Sequence, residues 1–208
     1  AEEARRVVDL GADVVVAQGW ESGGHVWGTV ATMALVPAVV DAVGPVPVVA
    51  AGGIADGRGL AAALALGASG VWIGTRFLAS HEANIHHHYQ TRLLEATEND
   101  TCWFEDLFDV GWPHAPHRAL RNRTVRDWEA AGRPASGQRP GEGEVIAPSA
   151  GREVVRYQSF TPGRLSEGDI DAVSLWAGQS VGLVGTVKPA GEIVREIVDE
   201  ALARLGNL

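Results

Sequence analysis

The chain has 208 residues, 46% of them hydrophobic, which is enough to bury one sizeable core and gives no reason to expect several domains. Its formal net charge of −9 argues against nucleic acid as a partner, because displacing counterions from phosphates needs many Lys and Arg. The single cysteine, Cys102, rules out an internal disulfide and a thiolate metal cluster.

In chain order, an amphipathic helix from Glu2 to Leu10 feeds a strand, Asp13 to Ala17. A helix from Met33 to Val43 and a Gly44-Pro45 break lead to the strand Val46 to Ala51, which ends in Gly52-Gly53. The helix Gly57 to Leu66 and the turn Gly67-Ala68 precede the strand Gly70 to Gly74, and a helix from Glu82 to Ala96 follows. From Asn99 the pattern turns aromatic and irregular, with a helix over Thr124 to Ala130. Gly132 to Gly151 reads as a long exposed loop, and helices are expected near Glu167 to Leu175 and Gly191 to Leu205.

Near-continuous apolar strands alternating with amphipathic helices mean an α/β fold with a parallel sheet. A (β/α)₈ barrel of the TIM type has eight such strands and about 250 residues. Only three are visible, so the expectation is an incomplete, C-terminal part of a barrel over residues 1–98, followed by a cap or lid region over 99–208. The longest apolar runs fall far short of the roughly 20 residues of a membrane span. No signal-peptide pattern opens the chain, and a cytoplasmic protein is expected, with no membrane partner.

The most informative stretch is Ala17-Gln18-Gly19-Trp20-Glu21-Ser22-Gly23-Gly24-His25, at the C-terminal end of a strand, where barrels carry their active sites. Gln18 offers an amide donor and acceptor to the polar edge of a heterocycle. Gly23 and Gly24 allow positive φ and close approach to a flat ligand. His25 titrates near neutrality, as proton abstraction from an activated carbon requires. An exposed histidine in a glycine-rich turn would have the same composition.

Ala50 to Asp56 repeats the strand-to-glycine pattern, with Gly52 and Gly53 suited to an anion and Asp56 to capping the next helix. Val71-Trp72-Ile73-Gly74-Thr75-Arg76-Phe77 repeats it once more, and loops after late barrel strands commonly share a phosphate. Arg76 either adds charge there or pairs at the rim. His86-His87-His88 lies in a helical stretch, where consecutive side chains diverge, so no metal site is expected. His114 and His117 read as solvated loop residues, Cys102 as structural, and Trp103, Phe104, Phe108 and Trp112 as a packed lid.

The runs AQGWESGGH, AAGGIADGRGLAAALALGASGVWIGTRF and WAGQSVGLV together resemble the nitronate monooxygenases, formerly 2-nitropropane dioxygenases. The resemblance implies FMN across the barrel mouth, with Gln18, Gly23 and Gly24 along the flavin. Gly52, Gly53, Gly74 and Thr75 would surround its phosphate, with Trp72 and Ile73 at the same strand end. It further implies His25 as the acid/base residue in oxidation of alkyl nitronates, or nitroalkanes, by O2 to a carbonyl compound and nitrite. Many members have Ala where this chain has Ser22, and Glu-Ser-Gly-Gly-His also resembles flavin-dependent enoyl-acyl carrier protein reductases. A reductase, or a flavin-binding fragment without activity, is the alternative, and a homo-oligomer is left open.

Overall fold

The protein is described by a computed structural model covering residues 1–149 and 151–206. Helix α1 (Glu2–Asp9) leads into β1 (Val15–Gln18), and a two-residue strand, β2 (Gly24–His25), follows the first glycine loop. Then come α2 (Thr32–Val43), β3 (Val48–Ala51), α3 (Gly57–Ala65), β4 (Gly70–Trp72) and a single helical turn, α4 (Thr75–Leu78). Strands β1, β3 and β4 form a parallel sheet in the order β1-β3-β4, with Gln18, Ala51 and Trp72 aligned in one row at their C-terminal ends. The three strands are those expected: β1 starts later and gains Gln18, β3 starts later, and β4 ends earlier.

The two faces of this sheet differ. Val15, Ala17, Val48 and Ala50 are buried against α1, α2 and α3 and make one core. On the other face Val14, Val16 and Trp72 are 50%, 45% and 66% exposed. A parallel sheet with helices on one side and an open apolar face on the other is the local architecture of a barrel wall.

Beyond β4 the sequence expectations need correction. Residues 82–86 are not helical; α5 (His87–Glu95) starts only after His86, whose ring accepts from the His88 N–H at 3.1 Å and caps the helix. The aromatic region is an antiparallel sheet rather than irregular chain. In it β5 (Thr101–Phe104) pairs with β6 (His117–Leu120), and β6 pairs with β2, so His25 lies opposite His117. The signal was weak because β6 is buried along its whole length and β5 is buried only at its two ends, leaving no alternation to read.

After α6 (Arg123–Ala130), the expected loop contains ordered structure. Arg139 is buried at 5% exposure, bonds Asp109, Glu142 and the Leu107 carbonyl, and lies over the Tyr157 ring at 4.4 Å. A hairpin follows, β7 (Val145–Ser149) with β8 (Arg152–Val155); Ala150 of this stretch lies outside the described residues. Around Glu167 to Leu175 only Ile170–Ala172 is helical, as one tight turn after Gly168 at φ 88°. The last helix, α7 (Ala190–Leu205), matches expectation and packs back on α3.

Candidate active site

Three strand-end loops and one C-terminal segment meet at a cavity of about 500 Å³, within the size range of cofactor pockets. Its wall includes Gln18, Ser22, Gly23, Gly24, His25, Gly52, Gly53, Trp72, Gly74 and Thr75. Every site residue expected from the sequence is therefore brought together except Ile73. That side chain points into the helix layer, because β4 alternates and Trp72 takes the cavity side.

The glycines divide by what occupies the space a side chain would need. At Gly23 an added Cβ would lie 2.4 Å from the Ala177 and Gly178 backbone, and at Gly52 2.4 Å from the Ser22 hydroxyl. At those two positions glycine is required by loop-on-loop packing, while their backbone still lines the cavity. Gly24, at φ 73°, and Gly74 have open space before them and are the positions where a ligand can come close. Gly178 completes the junction: Gln179 N–H donates to the Glu21 carbonyl at 2.9 Å, and the Gly178 N–H to the Thr75 hydroxyl at 3.0 Å. Thus the third motif is stitched to the first.

Glu21 has a structural task. Its carboxylate accepts the Thr32 N–H at 2.9 Å and caps α2 from a distance, supplying what Ala31 lacks. Asp56 likewise caps α3, accepting from the Arg58 and Gly59 N–H groups, while Glu200 takes the Gly57 N–H. The α3 N-terminus is thus filled by carboxylates and is not an anion site. Arg76 is buried away from the cavity and donates to the Thr186 carbonyl at 3.1 Å. A phosphate at the cavity would accordingly meet the Gly52-Gly53 and Gly74-Thr75 turns, with no Lys or Arg in the wall among the described residues.

His25 is enclosed by rings. Trp112 lies 4.1 Å away between centroids, Trp176 5.4 Å, and Trp27 and His117 each 5.9 Å. Gln18 donates to the His25 carbonyl at 3.0 Å and fixes its backbone. Desolvation lowers the His25 pKa below the ordinary histidine value, which favours the neutral ring. Its Nε2 is enclosed and has no hydrogen-bond partner among the described residues. A buried nitrogen left unsatisfied is costly and marks a place where a ligand group belongs.

His117, expected in solvent, has no exposed surface. Its Nδ1 donates to the Ala115 carbonyl at 2.8 Å and its Nε2 accepts the Phe108 N–H at 3.1 Å, a pairing that only the neutral Nδ1–H tautomer allows. Burial pushes its pKa down to about 4. His114 is exposed. Of the expected lid, Phe104 and Phe108 are core, whereas Trp112 lines the cavity with Phe160, Thr161 and Trp176. Phe160 and Thr161 carried no motif and were missed; the WAGQS segment was the sequence signal for Trp176.

Glycine-bearing loops at the ends of parallel strands, closed around a cavity with one unsatisfied histidine, define an α/β-barrel type of ligand-binding enzyme site. Residues 1–200 match the family model "Nitronate monooxygenase", and the chain belongs to that family. A nitronate monooxygenase of Metarhizium robertsii is 42% identical over 94% of this chain and 54% of its own length. FabK from Thermotoga maritima superposes with a TM-score of 0.73 at 33% identity, over 99% of this chain and 60% of that one. A nitroalkane oxidase from Streptomyces ansochromogenes does so with a TM-score of 0.71 at 27% identity, over 100% and 57%. The chain spans about half the length of the curated relatives it matches. No helix among the described residues is long and apolar enough to cross a membrane.

Proposed function

We propose that this chain forms the flavin-binding and proton-handling part of an FMN-dependent enzyme that oxidises alkyl nitronates, and neutral nitroalkanes, with O2 to a carbonyl compound and nitrite. The observation that carries the reading is the enclosed, unpartnered Nε2 of a neutral His25 at a glycine-lined cavity. The open space before Gly24 and Gly74 fits a flat ring system and its phosphate, and the cavity volume suits a cofactor with a small substrate. When bound, FMN supplies the electron transfer that no side chain here can perform. His25 takes the α-proton of a nitroalkane at Nε2. Gln18 holds the His25 backbone in place, and the Trp27 and Trp176 rings exclude water from the proton transfer.

Oxygen uptake by the FMN-loaded protein with propyl nitronate, and release of nitrite, test this. Uptake no greater than that of His25→Ala with neutral nitropropane would sink it, since that substrate needs the base. Ser22 motivates the reductase reading, but it is buried and packs against Gly52. That reading requires anaerobic bleaching of the flavin by NADPH; failure to bleach rejects it.

A further inference from the structure

His25 Nε2 is enclosed as well as unpartnered, so in this conformation no substrate can reach the nitrogen that the proposed function needs. The ring that covers His25 most closely is Trp112, 4.1 Å away and tilted by 33°. Nothing fits between two rings at that separation. Access therefore requires Trp112 to leave.

The backbone around Trp112 is built for such a movement. Gly111, Trp112, Pro113 and His114 are all exposed, while Leu107, Phe108 and Ala115 on either side are buried. The tip is bounded by two positive-φ bends of the chain: Gly111 at φ 88° and His114 at φ 56°, a left-handed conformation that histidine adopts only at some cost. Its flanks are fixed. Val110 exchanges backbone hydrogen bonds with Tyr157 and Ser159, both at 3.1 Å. On the far side, His117 bonds the Ala115 carbonyl and reaches across to the Phe108 N–H, so one buried ring ties both ends of the segment. Between these anchors the Trp112 N–H donates to the Asp109 carbonyl at 3.0 Å, a single turn bond that can open alone.

We infer that Trp112 is a gating and specificity-determining residue of this site: its indole lies tilted over His25 in the closed position described here, and substrate enters by displacing the 111–114 tip from its His117-anchored base. The inference rests on the proposed function for the identity of the substrate, but not for the existence of the gate. The departing indole leaves a space bounded by Trp176, Phe160 and Trp27, an apolar aromatic wall suited to the alkyl part of the substrate. Trp112 then limits how large that group can be.

Acylation of histidines by diethyl pyrocarbonate, read peptide by peptide by mass spectrometry, tests the gate without any flavin or turnover. In Trp112→Ala, His25 should react faster by about three- to tenfold, the equivalent of losing one aromatic contact, relative to exposed His81. His117 stays unmodified and reports that the fold is intact. Trp112→Phe, which keeps a smaller ring, should give an intermediate rate. A His25 rate equal to that of the native protein in both variants overturns the gate. In the flavin-loaded enzyme, Trp112→Ala should raise kcat/KM for bulky nitronates relative to ethyl nitronate, and an unchanged ratio overturns the specificity role. No turnover of any nitronate by the native protein would sink the proposed function, while the histidine footprint still judges the gate.

Discussion

His25 and His117 sit opposite one another in one antiparallel register, yet their chemical roles differ because their hydrogen bonds differ. His25 has a nitrogen without a partner; His117 has both nitrogens satisfied by backbone, as a donor and as an acceptor. The acceptor role forbids a proton on Nε2, so protonating His117 must break its bond to Phe108. Its folded pKa, about 4, lies below the unfolded value near 6.5. Between those values the unfolded chain binds more protons, so this residue's contribution is fully present above pH 6.5 and is lost as pH falls toward 4. The shift corresponds to roughly 3 kcal/mol. Urea unfolding followed by tryptophan fluorescence should give a midpoint that falls over this window. In His117→Phe the protein should be weaker at pH 7, but that part of the pH slope should vanish; an unchanged slope would assign it to the carboxylates instead. At this scale the sequence spoke for His25, since glycines and a strand end framed it. It was silent on His117, because a histidine's burial is set by partners 9 residues away and farther, such as Phe108 and Trp176.

The elements that carry the site were legible where apolar strands alternate with amphipathic helices and end in glycine, and illegible where that frame is absent. Strands β1, β3 and β4 are only three or four residues long, but each follows a readable helix and runs into a glycine turn, and helices α2, α3 and α7 repeat an apolar pattern over several turns; each occurs close to its expected span. The β5–β6 pair and the β7–β8 hairpin are of similar length but stand outside any strand–helix alternation, so local pattern was no guide. Helix α7 was foreseen but not its seat. It crosses α3 at Gly57, where an added Cβ would lie 2.5 Å from the Ala201 nitrogen and 2.6 Å from the Ile197 carbonyl oxygen. The Gly57 N–H donates to Glu200 of α7 at 2.9 Å, so helix contact and helix cap are one feature. Gly57→Ala should therefore push α7 away and cost about 1–3 kcal/mol, although alanine favours helix, because overpacking against backbone cannot be relieved by a rotamer change. Chemical denaturation would detect this. A stabilised Gly57→Ala protein would mean that α7 yields freely and that the α3–α7 contact does not hold the loops around the cavity.

For the whole molecule, the open face of the β1-β3-β4 sheet decides how the chain behaves alone. Val14, Val16, Gln18 and Trp72 stand on that face with no layer over them. Sheet faces of this kind are covered in α/β proteins, and β1 and β4 leave unpaired strand edges beside them. The relatives are about twice as long as this chain, so their chains have length enough for further strands over the corresponding face. Two substitutions separate an open face from a covered one. A lysine at Val16 faces water if the sheet is open, so Val16→Lys should change stability by no more than about 0.5 kcal/mol. The same lysine beneath a covering layer would have to bury a charge, at a cost of several kcal/mol. The chain as it stands should also self-associate through this face, and Val16→Lys with Val14→Lys should reduce that in sedimentation velocity, since like charges across an apolar contact oppose pairing. Helix residues such as Val7, 38% exposed on α1, serve as the control, because lysine there leaves the sheet face untouched. If Val16→Lys unfolds the protein while Val7→Lys does not, the face is buried in solution by a second copy. If both are neutral and association falls only with the sheet variants, the face is open in the single chain and is the surface through which copies pair.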